Sequence, residues 1–543
     1  MVCHLVAGSN TSGVAVIYFR LAARCVAFLA GLMMISAPAR AEWWEAETAH
    51  FVVRSEASEA ATREFALELE RFDRALRLLQ GMSTEEEDIG RANKPTVYRF
   101  GYAKDIAIMI GASGSGVAGF FIPRAGASVG FAPVKSAKIE TKSASMREDR
   151  RNQLDPRSVL FHEYTHYFMM QHFPGAYPRW YVEGYAELMA TMRINDDGSY
   201  HVGDPPQYRA FQIFEMRDFP LKEMLDPDYR LSGLDGLQHY ATGWLLTHYM
   251  SFDPARLEKL RAYLKAIGKG ENGLEVATRE FGDLGELQSQ LRKYKKGPFP
   301  GFDISAGNVP PKVALRRITG IEEAAIREEM RLMRGPLDTD DAKDIALDVG
   351  RLLASDADNL HLLGLLGRAQ IGARQYAEAE GTGAKIVALD EANRDGWMIR
   401  AAAGLGLATS DPVKAVAARD HATQAAKLDR TDPRPLILYY LSYIRAQETP
   451  SETAVLALET AFKQAGSDAT YRLLVAHQML LDNRLDTARH VLMPIAFRGH
   501  RTAEPKDETD PTLPRVLKLI DAGDRDAALA MTGKMIADEE DEG

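Results

Sequence analysis

Cysteine is almost absent from this chain. Cys3 and Cys25 are the only two, and both fall within a leader-like segment. Residues 1–41 carry Arg20 and Arg24, then the apolar run from Cys25 to Ile35, then Ala39-Arg40-Ala41 as a small-x-small cleavage pattern. Cleavage there leaves a mature chain from Glu42 without a thiol, which excludes disulfides and thiol chemistry. The leader predicts a bacterial protein that is periplasmic or secreted. Long hydrophobic runs are missing as well. The leader's own run is too short for a comfortable span, and nothing after it is longer, so no membrane span is expected once the signal is removed. A basic excess is also lacking: 66 Lys+Arg stand against 76 Asp+Glu, for a net charge of −10. That balance excludes a dedicated nucleic-acid binder. The remaining composition, 46% hydrophobic and 26% charged over 543 residues, is that of a globular chain with room for three or four domains.

The informative stretch runs from Phe161 to Glu187. It contains His162-Glu163-Tyr164-Thr165-His166 and, further on, Trp180-Tyr181-Val182-Glu183-Gly184-Tyr185-Ala186-Glu187. Positions four apart share a helix face, so His162 and His166 present two imidazoles to one ion, with Glu163 beside them. Glu183 and Glu187 share a face in the same way, and the former offers a third ligand, leaving a fourth position for water. Asp155-Pro156 is a helix start signal, Pro174-Gly175 a stop, and Pro178 opens the next helix. A hairpin of two antiparallel helices is expected, with Gly184 allowing its second helix to approach the first. His172 stands ten residues after His162, as in a three-histidine zinc pattern, but Met169 replaces the glycine needed to turn the chain out of the helix.

These residues resemble the gluzincin metallopeptidases, the group that includes thermolysin and alanyl-aminopeptidase-like enzymes. The resemblance implies an α+β zincin-like catalytic domain, a small sheet plus metal-bearing helices, holding one Zn2+ per chain. It makes His162, His166 and Glu183 the metal ligands, Glu163 the general base that activates water, and Glu187 an outer partner orienting a ligand histidine. Val182 departs from the Asn that many relatives carry there, a residue that is not itself a ligand. Downstream, Tyr240 with Gly243 resembles the Y-x-x-G helix whose tyrosine steadies the oxyanion; His239 and His248 are adjacent candidates for proton donation. The G-x-M-E-N motif of the aminopeptidases is absent, so the resemblance implies an endopeptidase acting on protein or peptide substrates.

Around this centre the chain divides into five parts. Residues 1–41 are the signal peptide. Residues 42–135 read as an α/β lobe with strands at 50–54 and 95–100, two more within 116–133, and a helix from about Ser58 carrying Phe65, Leu69, Phe72, Leu76 and Leu79. Residues 136–300 form the helical zinc lobe, introduced by a polar rim loop at 135–151. Residues 301–340 read as a linker. From 341 to 543, Asp356-Ala357-Asp358-Asn359 recurs as Asp390-Glu391-Ala392-Asn393 at an offset of 34, with Leu362, Gly364, Leu365, Ala369, Tyr376, Ala377 and Ala379 between. This pattern resembles tetratricopeptide repeats. It implies an all-α TPR-like solenoid of four or five repeats that binds a protein partner or peptide, ending in an acidic tail at Asp538–Glu542. The alternative to the enzyme is a catalytically silent peptidase-like scaffold serving as a periplasmic protein-binding module.

Overall fold

The structure, a computed structural model, describes residues 42–85, 89–111, 119–135, 155–195, 197–227, 229, 235–305, 311–335, 337–496 and 512–542. The expected signal segment and most of the rim loop lie outside these residues. Among the described residues, no helix is long and apolar enough to cross a membrane.

A six-stranded mixed sheet organises the N-terminal half. Its strands are β1 (Trp43–Glu47), β2 (Val52–Ser55), β3 (Thr96–Arg99), β4 (Phe120–Ile122), β5 (Val129–Ala132) and β9 (Ala314–Ile318), in the order β4-β5-β3-β2-β1-β9. The β2–β3 and β3–β5 pairs are parallel; β1–β2, β1–β9 and β4–β5 are antiparallel. Residues 301–340 are therefore not a linker. They hold β8 (Phe302–Ile304), which joins β6 (Arg193–Ile194) and β7 (Tyr200–Val202) in a small second sheet, and β9, which closes the edge of the main one. Ion pairs fix that return. The buried Arg54 reaches Glu45 at 2.7 Å and also binds Glu329, and Arg316 pairs with Glu45 at 3.0 Å.

Helices cover both faces of the sheet. On one lies α1 (Glu59–Leu79), capped by the Ser58 side chain, with Phe65, Leu69, Phe72 and Leu76 at most 4% exposed. Burial of this 3.6-period stripe holds the helix on the sheet. The helix that carries His162 and His166, α3 (Pro156–His172), packs beside it, stacking Phe161 on Phe72 at 3.9 Å; the short α2 (Ala103–Met109) lies between them in sequence. On the other face, Ile326 and Met330 of α11 (Gly320–Met333) pack against Tyr98, Phe131 and Ile318.

From α12 (Thr339–Leu353) onward the chain is helical, α13 to α22, running from Leu360 to Glu542 and pairing into five hairpins among the described residues. The recurring Asn has a local cause. Asn359 caps α13 (Leu360–Gly372) by accepting from Leu362 N–H, and Asn393 caps α15 (Arg394–Leu407) by accepting from Gly396 N–H. The acidic end is part of α22 (Arg525–Glu542), which continues helical through Glu542. One continuous core runs from Phe51, Phe161 and Trp180 through Ile437, Leu480 and Leu492 to Ala528. The last hairpins thus pack directly on the half of the chain that carries α3.

Candidate metal centre

The Asp155 carboxylate accepts from Arg157 N–H at 2.9 Å and Pro156 occupies the first turn, so α3 starts where its sequence requires. The helix ends at His172. Pro178 then precedes α4 (Arg179–Ala190), which packs against α3 to complete the hairpin. His162 and His166 face Glu183 across that hairpin. Their Nε2 atoms are 3.1 Å apart, and they lie 3.3 Å and 3.5 Å from Glu183 Oε2. The Glu183 side chain is fully buried, whereas the imidazoles keep 12% and 17% exposure. This donor set could hold a metal ion: two imidazole nitrogens and a carboxylate oxygen converge on one point.

The charges fit that use. Burial alone would raise the Glu183 carboxyl; the positive charge of His166 and hydrogen bonds from His162 and His166 outweigh it and hold the group well below the usual carboxylate range. Burial would likewise depress His162, but its hydrogen bond to Glu183 and the negative charges of Glu187 and Glu163 push it up to about 9. A metal ion would have to displace that proton, so its binding would strengthen as pH rises.

Glu187 is placed differently from its expected role. Its Oε1 is 3.9 Å from His162 Nδ1, beyond hydrogen-bond reach. The carboxylate is taken instead by Tyr208 O–H at 2.6 Å and by Arg209 Nε and Nη2 at 3.0 Å and 2.8 Å. Both partners come from a short 3-10 turn, Gln207–Arg209. Sequence reasoning does not find them, because a turn in a polar segment has no periodicity to tie it to a helix twenty residues earlier. Arg209 also lies 5.0 Å over the Tyr240 ring.

Tyr240 stands beside the centre, its ring 6.3 Å from that of His162. Burial, followed by the charge of Glu183, raises its phenol. The glycine three residues on explains how it gets there. A Cβ on Gly184 would overlap the Gly243 carbonyl and the Thr247 hydroxyl, and one on Gly243 would lie 2.8 Å from the Trp180 carbonyl. Gly184 therefore serves the crossing of α4 with α7 (Asp235–Ser251), not the approach of α4 to α3. The neighbouring histidines are both buried. His248 donates Nε2–H to the Gly203 carbonyl at 3.0 Å, accepts from Tyr294 at 2.8 Å and stacks on Phe252; His239 is 3% exposed and packs edge-on against Phe219. Burial takes each down to about 4.

His172 continues α3 and packs against Phe168 at 4.6 Å, outside the donor set. A second group, His50 with Glu70 and Asp73, also has metal-like spacing. It is already satisfied as an ion-pair network. His50 Nδ1 is 2.5 Å from Glu70, and Asp73 takes Arg77 at 2.5 Å and the Tyr164 hydroxyl at 2.8 Å. Each Asp73 oxygen thus already accepts from a donor.

A cavity of about 240 Å³ opens next to the donor set, bordered by Glu163, His166 and Glu183 and, from the sheet's edge strand β4, by Phe121. Comparison with known proteins returns no match to this chain among family models, curated proteins or solved structures.

Proposed function

We propose that this chain is an exported zinc endopeptidase of the gluzincin type, followed by TPR-like repeats. The triangle formed by His162, His166 and Glu183 carries the reading. Tetrahedral bonds of about 2.0–2.1 Å from zinc to nitrogen or oxygen place neighbouring ligand atoms roughly 3.3 Å apart, and the three separations are 3.1, 3.3 and 3.5 Å. Zinc held there supplies a Lewis acid and a water acidic enough to deprotonate near neutral pH.

The chain's own residues do the rest. Glu163, one residue from a ligand and on the cavity wall, takes the proton of the attacking water and delivers it to the leaving amine. Tyr240 donates its hydroxyl to the developing oxyanion; a phenol kept protonated by burial and by the charge of Glu183 is suited to donating. Strand β4 offers its outer edge to an extended peptide, with Phe121 turned to the cavity. Glu183 contributes negative charge, and Arg209 and Tyr208 hold Glu187 behind His162.

The test separates metal from turnover. Glu163→Gln is expected to keep about one zinc per chain and lose nearly all cleavage of casein, whereas His162→Ala and Glu183→Ala lose the metal. Undiminished cleavage by Glu163→Gln, or no zinc in the unaltered chain after reconstitution, would sink the assignment. Zinc without cleavage in the unaltered chain would favour the silent scaffold.

A further inference from the structure

The cavity beside the centre is not built by the metal hairpin alone. Phe121 comes from the sheet edge, Tyr167 and Met170 from α3, Tyr177 from the hairpin connection and Val182 from α4. Pro494 comes from α20 (Leu485–Ala496), more than three hundred residues further along the chain. Apart from the carboxylates and His166 at the metal end, the wall is apolar.

That distant wall is locked in place. Arg472, 2% exposed, donates Nη1 to the Val491 carbonyl at 3.0 Å and Nη2 to the Met170 carbonyl at 3.2 Å. One guanidinium thus ties α20, a turn before Pro494, to the last turn of the metal helix. Gln171 donates to the Gln464 carbonyl at 3.2 Å and accepts from Ser467 N–H at 3.1 Å. Asp468 accepts from Ala125 N–H in the β4–β5 turn at 2.9 Å.

Size selects the occupant. An apolar cavity of about 150 Å³ holds a benzene ring, and whole drug-sized ligands need roughly 300–1,000 Å³. At about 240 Å³, the cavity takes one large side chain. Its border on Glu163, His166 and Glu183 puts that side chain next to a backbone bond presented to the metal, and β4, the terminal strand of the sheet among the described residues, supports the backbone on either side.

We propose that the cavity is a subsite for a single bulky apolar side chain (leucine, methionine or phenylalanine) of an extended peptide, and that the C-terminal helical array supplies one of its walls through Pro494. The inference rests on the peptidase reading and adds the substrate class. It also gives the array a role in selection at the centre itself.

The test reads binding rather than turnover. Capped pentapeptides Ala-Ala-X-Ala-Ala, with X as Leu, Phe, Gly or Asp, are titrated by calorimetry into the full-length Glu163→Gln chain, with and without added zinc. Burying one large apolar side chain is worth roughly 10- to 100-fold in affinity, so the Leu and Phe peptides should bind at least about tenfold tighter than the Gly peptide. Pro494→Phe from one wall and Val182→Phe from another fill the cavity, and either should bring the Leu-to-Gly ratio close to one while leaving zinc content unchanged. A ratio near one in the parent, no peptide binding under either condition, or a ratio untouched by both fillings overturns the proposal. Selective binding by a chain whose unaltered form cuts no peptide overturns the peptidase reading and leaves the subsite standing as a peptide-binding pocket.

Discussion

His50 and Glu70 carry the clearest pH signature among individual side chains. Burial would depress His50, yet its hydrogen bond to Glu70 and the charge of Asp73 raise it above 6.5; Glu70, against the same burial penalty, is lowered below 4.5 by its hydrogen bond from His50 and by the charge of that imidazolium. A raised histidine stabilises fully below its unfolded value and loses that contribution as pH climbs through its folded value. A lowered carboxylate stabilises fully above its unfolded value and loses it as pH falls through its folded one. The pair therefore contributes most between 4.5 and 6.5. Thermal melts of the parent and of His50→Gln should differ most in that window and converge as pH rises beyond it; a gap that stays constant to pH 9 would contradict the pairing. Because Tyr164 of α3 donates to Asp73 at 2.8 Å, the same network anchors the back of that helix.

At the level of elements, the hairpins of the array repeat one backbone device. Arg374, Gln447, Asn483 and Gly523 each follow a helix by two residues and have φ between 58° and 74°. In each case their N–H, and that of the next residue, bond back to carbonyls in the last turn; for Gln447 these are Ile444 and Tyr443, for Gly523 Ile520 and Leu519. This is the Schellman closure, which favours glycine. Gln447 is exposed and bears the left-handed penalty without burying its side chain. Gln447→Gly is expected to raise stability by about 0.5–1 kcal/mol and Gly523→Ala to lower it by about 1 kcal/mol, both read from denaturant midpoints; equal midpoints for both would show that the turn is not strained. These same elements show what could be read from the chain. The α3–α4 hairpin and α1 are legible because caps, stop signals and apolar spacing act within a few residues. The Asn359 and Asn393 recurrence was legible for the same reason, as a pair of helix caps. Strand β9 was not: its residues Ala314–Ile318 alternate only weakly, and its place is fixed by pairing with β1 and by ion pairs to Glu45. Tyr208, Arg209 and Pro494 reach the centre through tertiary contacts that leave no periodic trace.

For the whole molecule, the array is part of the body that holds the centre. One core joins Phe161 and Trp180 to Ile437, Leu480 and Leu492, and Arg472 bridges Met170, Val491 and the Gly466 carbonyl while almost wholly buried. Removing a buried charge's hydrogen-bonded network costs more than removing a surface pair, because carbonyls at the end of α3 lose their donor. Arg472→Met should lower stability by roughly 2–4 kcal/mol, and calorimetry of the parent should show residues of both halves melting in one transition. Two well-separated transitions, or an Arg472→Met chain as stable as the parent, would mean that the array is an independent module.

The position of Arg472 and Pro494 so late in the chain has a consequence during biosynthesis. The α3–α4 hairpin is complete once Ala190 has been made, but the residue that caps its first helix and the residue that walls its cavity follow roughly 300 residues later. At about 5–20 residues per second, the ribosome needs on the order of 15–60 s to reach them. During that interval the nascent chain carries His162, His166 and Glu183 without a finished pocket beside them, and the walls of the cavity come together only after Pro494 has emerged.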